Sequence, residues 1–328
     1  MKKVLVMLCF GLVFLSSGGC NKSGGNAKKN YKLAMIPKGA THEFWKSVHA
    51  GALKASQDYA AQGVEVTINW KGPLREDDRE QQIQAVEGFL SQGIDGILLA
   101  PLDSRALARP VEEAKQAGIP TVIFDSALES NDIVSFVATD NTRGGELAAQ
   151  AMGKLLGGKG KVLLLRYQEG SASTEEREGG FVKKLKADYP GIELISSNQF
   201  AGATRDTAKR TSENLLNRYA EEVQGIFAPN ESSTAGMLLA LQDIHRAGKV
   251  VFVGFDSSPV FVDAMRNGQM QAFVVQNPYR MGELSVKTMV DHLMGKPVEK
   301  KVDTGVTLID TKNVDSPEAQ KLLHAPVA

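Results

Sequence analysis

Cysteine is nearly absent from this 328-residue chain. The two that occur, Cys9 and Cys20, lie within the first twenty residues, so the body holds no disulfide, thiol nucleophile or cysteine metal site. Charge of one sign is lacking as well. Lys and Arg total 38 and so do Asp and Glu, which removes any general electrostatic case for nucleic acid or an acidic membrane face. The five histidines (His42, His49, His245, His292, His324) show no metal-ligand spacing and no HExxH, and His49 reads as a helix-surface residue. Nucleotide motifs fail in turn. "GKLLGGKG" (153–160) has Gly160 where a P-loop needs Ser or Thr, and it runs from helix to strand, so it reads as a connecting turn. "GSAST" (170–174) lacks the glycine after the serine of a nucleophile elbow, and no GxGxxG opens the first βα unit. Nothing in the chain calls for catalysis, a metal or a cofactor.

What is present begins with a leader. Lys2-Lys3 precede an apolar run, Val4 to Leu15, which is too short to cross a bilayer and is followed by small residues, the pattern of an export signal. Its end, "LSSGGC", is similar to a bacterial lipobox, which implies a lipoprotein signal peptide over 1–20 ending at the lipobox, with the Cys20 thiol diacylated and becoming the new N-terminus; Ser17 is an unusual residue three places earlier. Two acyl chains suffice for stable anchoring. Ordinary signal cleavage leaving Cys20 unmodified is the alternative. Residues 21–30, "NKSGGNAKKN", read as a polar, Gly-containing flexible tether.

Hydrophobic content of 42% and charged content of 23% describe a soluble globular body. From Lys32 onward short β-rich runs alternate with amphipathic segments. Strands are expected at 32–36, 64–69, 96–100, 120–124, 135–138, 161–165, 193–197, 225–228, 250–254, 272–276 and 306–309. Between them, Ile83, Val86, Phe89 and Leu90 share one helix face, as do Leu238, Leu241 and Ile244. Such alternation means parallel sheets covered by helices on both faces.

The chain also repeats itself. "GILLAPLDS" (96–104) is echoed by "GIFAPNESS" (225–233), and "AGIPTVIFDS" (117–126) by "AGKVVFVGFDS" (247–257). Two echoes in the same order imply two similar α/β lobes facing each other, with Asp125 and Asp256 in equivalent places.

Ligands of such sheets bind beyond the carboxyl ends of the strands. The residues found there are Lys38, Asp103, Asp125, Gln168 with Arg177 beyond it, Asn230, Asp256 and Gln276. Each has a bland counterpart. Asp125 and Asp256 either serve a ligand or cap the next helix; Arg177 either reaches the cleft or lies on a helix surface; Lys38 either serves a ligand or pairs with Asp103 or Asp125. In "AMIPKGATHEFW" (34–45), Pro37 ends the strand, Gly39 frees the turn and Thr41 is the expected N-cap. Phe44 and Trp45 then point about 100° apart on the helix, so one ring is expected in the core and one at the cleft. "REDDRE" (75–80) reads as a solvated helix start.

"VGFDSSP" (253–259), "ATDNTRGGELAA" (138–149), "EREGGF" (176–181) and the strand-closing Gln276 resemble the type I periplasmic binding proteins, in pattern the ribose-binding type, over about residues 31–310. The resemblance implies two doubly wound parallel-sheet lobes joined by a three-segment hinge. The N-terminal lobe would take 31–139 plus 277–303 and the C-terminal lobe 140–276 plus 304–328. It further implies a monomer that closes around a monosaccharide and delivers it to an ABC permease and its ATPase, periplasmic or at the cell surface and held to the membrane by lipid. Phe44 and Trp45 match an aromatic pair that sandwiches the sugar ring, and Asp125, Arg177, Asn230, Asp256 and Gln276 match groups that hold its hydroxyls. The chain departs from the ribose type at Lys38 (serine there), Ser126 (arginine), Ala100 (asparagine) and Ala203, which aligns with a second stacking aromatic. "PK", Gly72-Pro73 and "FDS" resemble the rhamnose and autoinducer-2 receptor branches, although Arg177 is unusual there. Lys38 and Ser126 therefore join the expected ligand-binding set, and the ligand is expected to be another pentose, hexose, deoxysugar or furanose. A receptor presenting a sugar-like signal to a sensor is the alternative function. A transcriptional regulator is disfavoured because the leader occupies the place of a DNA-binding domain.

Overall fold

The computed structural model describes Met1 and residues 30–328; the leader, Cys20 and nearly all of the 21–30 tether lie outside the described residues. Two six-stranded sheets divide the described chain. The first holds β1 (Asn30–Ile36), β2 (Glu65–Trp70), β3 (Gly96–Leu99), β4 (Thr121–Phe124), β5 (Ser135–Ala138) and β11 (Lys301–Asp303), in the order β11-β5-β4-β3-β1-β2. The second holds β6 (Lys159–Arg166), β7 (Gly191–Phe200), β8 (Gly225–Phe227), β9 (Val251–Phe255), β10 (Ala272–Gln276) and β12 (Val306–Asp310), in the order β12-β10-β9-β8-β6-β7. All ladders are parallel except β10 with β12.

The helices are α1 (Glu43–Ala60), α2 (Arg79–Leu90), α3 (Ala108–Gln116), α4 (Asn141–Leu155) and α5 (Ala172–Asp188). They continue as α6 (Arg205–Tyr219), α7 (Glu231–Asp243), α8 (Pro259–Arg266), α9 (Pro278–Leu293) and α10 (Pro317–Leu323). Among the described residues none is long and apolar enough to cross a membrane.

The repeat in the sequence is a repeat in space. β3 with β4 and β8 with β9 occupy the same places in their sheets, and each sheet is buried on both faces by apolar clusters. The two echoed Phe-Asp-Ser ends share a backbone too: Asp125 has φ 62° and Asp256 φ 65°. A non-glycine residue in the left-handed region costs of order 1–3 kcal/mol and persists only where its surroundings demand it. The chain passes between sheets three times, at β5 to α4, at β10 to α9 and at β11 to β12. A fourth link is the C-terminal tail, where the Ala328 N–H donates to the Lys46 carbonyl of α1 at 3.2 Å.

Glycines set how closely the flanking helices cross. A Cβ on Gly51 of α1 would lie 1.9 Å from the Tyr279 carbonyl of α9, and one on Gly145 of α4 would lie 1.9 Å from the Arg177 carbonyl of α5. Gly145 of "TRGGEL" and Gly180 of "EREGGF", where a Cβ would lie 2.3 Å from the Thr142 carbonyl, are therefore the contact points between α4 and α5.

Three local expectations change. β11 has only three residues, too few to show a period, and was not expected. The residue before α1 is His42, not Thr41, and it makes no side-chain cap because its ring is turned to Glu76. Ile244 lies beyond the last turn of α7 and is 40% exposed, outside the apolar face assigned to it.

Candidate functional site

The cleft between the lobes is built from strand ends and helix starts. After β1, Pro37 leads to Lys38, whose ammonium is 3.1 Å from the Asp125 carboxylate at the end of β4. The same ammonium donates to Ser171 and Ser173 of the other lobe at 3.2 and 3.0 Å. Asp103, the other expected partner, instead pairs with Arg79 and accepts from the Arg105 and Ala106 N–H groups.

The aromatic pair departs from the expectation of one inward and one cleft-facing ring. Phe44 and Trp45 are both buried and both line the cleft, with centroids 4.9 Å apart and planes at 89°. Trp45 also meets Phe124 edge-on at 6.3 Å, so the ring is held from two sides. The Phe44 N–H donates to Glu231 of the opposite lobe at 3.3 Å, which gives the start of α1 a side-chain acceptor that His42 does not provide.

From the second lobe come Arg177, Asn230, Asp256 and Gln276. Arg177 is buried in α5: its Nε donates to Asn141, one terminal nitrogen donates to the Pro229 carbonyl, and the guanidinium lies 4.0 Å from the Phe255 ring centroid. Asn230 caps α7, its amide oxygen accepting from the Ser233 N–H at 3.2 Å. Asp256 accepts from Gln276 at 2.7 Å and from the Glu231 N–H at 2.9 Å. Burial outweighs the guanidinium of Arg177 and raises the Asp256 carboxyl to about 6. The Gln276 Oε1 is buried with no hydrogen-bond partner.

Eight of the residues singled out in the sequence meet around one space: Lys38, Phe44, Trp45, Asp125, Arg177, Asn230, Asp256 and Gln276. Ser126 is fully buried, and its hydroxyl accepts from the Ser173 N–H of the other lobe at 3.0 Å. Five further members of the lining were not singled out: His42, Glu76, Tyr167, Ser173 and Thr174. Glu76 was read as part of a solvated charge run, but it is 5% exposed and faces the cleft. His42, with no metal-ligand spacing to flag it, has Nδ1 2.7 Å from Glu76. Tyr167, one residue beyond β6, is the aromatic the second lobe contributes, while Ala203 is simply buried. The only signal for Tyr167 was its position after a strand.

Charges are paired within the site. Burial opposes ionisation of both His42 and Glu76, yet their mutual attraction prevails, raising His42 to about 9 and lowering Glu76 to about 2. Among the described residues no cluster of His, Cys, Asp and Glu could hold a metal. The arrangement can do what directed donors and acceptors beside two aromatic faces do, which is to bind a polyhydroxylated ring.

Comparison with known proteins agrees with this geometry. Residues 33–297 match the model of the periplasmic binding protein domain. The ribose import binding protein of Bacillus subtilis is 29% identical over 314 residues, covering 94% of this chain and 98% of that protein. Among solved structures, an ABC transporter solute-binding protein from Agrobacterium vitis with bound D-fucose is 35% identical with a TM-score of 0.84, covering 89% of this chain and all of that one. A carbohydrate transporter solute-binding protein from Agrobacterium radiobacter in complex with D-arabinose is 31% identical, also with a TM-score of 0.84, covering 90% and 99%. Fold, site and family match converge: the chain belongs to the periplasmic binding protein domain family, with two parallel-sheet α/β lobes of the type I arrangement.

Proposed function

We propose that this chain is an exported sugar-binding protein that captures a monosaccharide between its lobes and delivers it to an ABC permease and its ATPase. One observation carries the reading. Asp125 and Asp256, equivalent by the internal repeat and alike in φ, stand on opposite walls of one cleft beside Phe44 and Trp45. Lys38, Ser126, Arg177, Asn230 and Gln276 complete the ligand set, with the unpaired Gln276 Oε1 an acceptor that a sugar hydroxyl would satisfy. The relatives named above bind or import ribose, D-fucose and D-arabinose, which supports the substrate class.

The space left in the cleft is about 30 Å³, room for water and too little for a sugar ring. Admission of a sugar therefore requires the lobes to part and close again about the three crossings. The lobes are 31–139 plus 277–303 and 140–276 plus 304–328, and the chain acts as a monomer. Cys20 carries the lipid anchor at the periplasmic or cell-surface side of the membrane, with 21–30 as tether.

A thermal-shift screen against monosaccharides tests the reading. A sugar at a hundredfold excess over its Kd adds about 2.7 kcal/mol to stability and raises Tm. Shifts with amino acids or peptides and none with any sugar would overturn it.

A further inference from the structure

Glu76 sits on the loop between β2 and α2 and is held from both lobes. From its own lobe, the Trp45 Nε1–H donates to Oε1 at 2.6 Å and His42 Nδ1 reaches the same oxygen at 2.7 Å. From the other lobe, the Tyr167 hydroxyl donates to Oε2, and the Gln168 amide donates to the Glu76 main-chain carbonyl at 2.9 Å. The end of β6 that carries these two donors is itself pinned, because Glu178 accepts from the Tyr167 N–H at 2.9 Å and from Arg166 at 2.6 Å. Opposite Glu76 the chain has Gly39, where a Cβ would lie 2.8 Å from the Glu76 Cγ. That glycine thus makes room for the carboxylate side chain, a different role from freeing a turn.

We propose that Glu76 is a positioning residue and interlobe latch: it fixes the Trp45 ring against the bound sugar and, through Tyr167 and Gln168, sets how long the lobes stay shut. The inference rests on the sugar-binding reading and adds to it a residue that acts through others. Its asymmetry makes it testable. When the lobes part, the bonds to Trp45 and His42 persist and only those to Tyr167 and Gln168 break. Tyr167→Phe and Gln168→Ala therefore perturb the latch without touching the orientation of Trp45. Gln168 does not line the cleft, so its substitution removes no contact to a sugar.

The experiment is stopped-flow fluorescence with a sugar found in the screen, in a Trp70→Phe background that leaves Trp45 as the reporter. Loss of a hydrogen bond to a charged group predicts a koff about tenfold faster for Tyr167→Phe. Gln168→Ala should raise koff in the same direction. Glu76→Gln, which keeps an acceptor for Trp45, should lie between wild type and Glu76→Ala in both koff and Trp45 emission. An unchanged koff in Tyr167→Phe and Gln168→Ala, or a lowered Tm with koff unchanged, overturns the latch. Should wild type bind no sugar, the function fails but the latch is still decided, by X-ray scattering. Tyr167→Phe must then give a larger radius of gyration than wild type, and equal radii overturn it.

Discussion

Replacing Lys38 by methionine isolates the charge that joins the two walls of the cleft. Methionine keeps most of the apolar stem and removes only the ammonium, which lies 3.1 Å from Asp125 with both side chains about 5% exposed or less. At an effective dielectric of about 20, the attraction across that distance is about 5 kcal/mol. Breaking one side of a buried pair costs about 3–5 kcal/mol, because the remaining carboxylate is left buried and unpaired. With the lobes apart, water reaches Asp125, so the penalty falls on the closed form and is read as lost affinity. The expected loss is therefore about a hundredfold to a few thousandfold in Kd by isothermal titration, while the Tm of the sugar-free protein moves little. Asp125→Asn and the double variant complete a cycle in which the double costs at least about 1.5 kcal/mol less than the sum of the singles. Binding by Lys38→Met within threefold of wild type, or an additive cycle, would refute the argument.

Stability should depend on pH through the same cleft, with signs set by each group. His42 rises from 6.5 to about 9, so its contribution is complete below pH 6.5 and is lost as pH climbs to 9, a change of about 3 kcal/mol. Glu76 falls from 4.5 to about 2, so its share is present above pH 4.5 and is lost toward pH 2. Asp256 works the other way, its raised carboxyl lowering stability as pH rises from 3.8 to about 6. Urea unfolding of His42→Gln should lack the alkaline decline, and parallel curves for variant and wild type would exclude the assignment. Gly145→Ala places a Cβ 1.9 Å from the Arg177 carbonyl and should cost about 1–3 kcal/mol, with Arg177 displaced and affinity reduced. Wild-type Tm and affinity in that variant would contradict the crossing described.

How much of this could be read in the sequence follows from the range of the interactions. Asp125 and Asp256 were legible because a repeat and a strand end are local patterns, and both proved to share a left-handed backbone. Lys38 was legible as an anomaly after an apolar strand, but its choice of Asp125 over Asp103 depends on which strand ends lie side by side. Glu76 was opaque for a physical reason. Its immediate neighbours are charged and solvated, while the partner that buries it, Tyr167, lies 91 residues away in the other lobe. For Phe44 and Trp45 the resemblance put both rings at the sugar, whereas helical angle sent one inward, because it did not foresee that a second lobe covers the face where one ring would have been exposed.

The glycine crossings carry a consequence for how motion and recognition are divided. Two of the three links between lobes run directly into α4 and α9, the helices whose backbones touch α5 and α1. α1 presents Phe44 and Trp45, and α5 begins beside Ser171 and Ser173 and carries Arg177. Each connecting strut is thus packed against a helix that faces the cleft, so under the closure proposed above rotation at the links would carry that helix with it. Four polar groups of the proposed site, Lys38, Asp125, Asp256 and Gln276, lie instead at or just beyond the strand ends. On the proposed function, selectivity would be rewritten there, residue by residue, while the helix crossings stay the same.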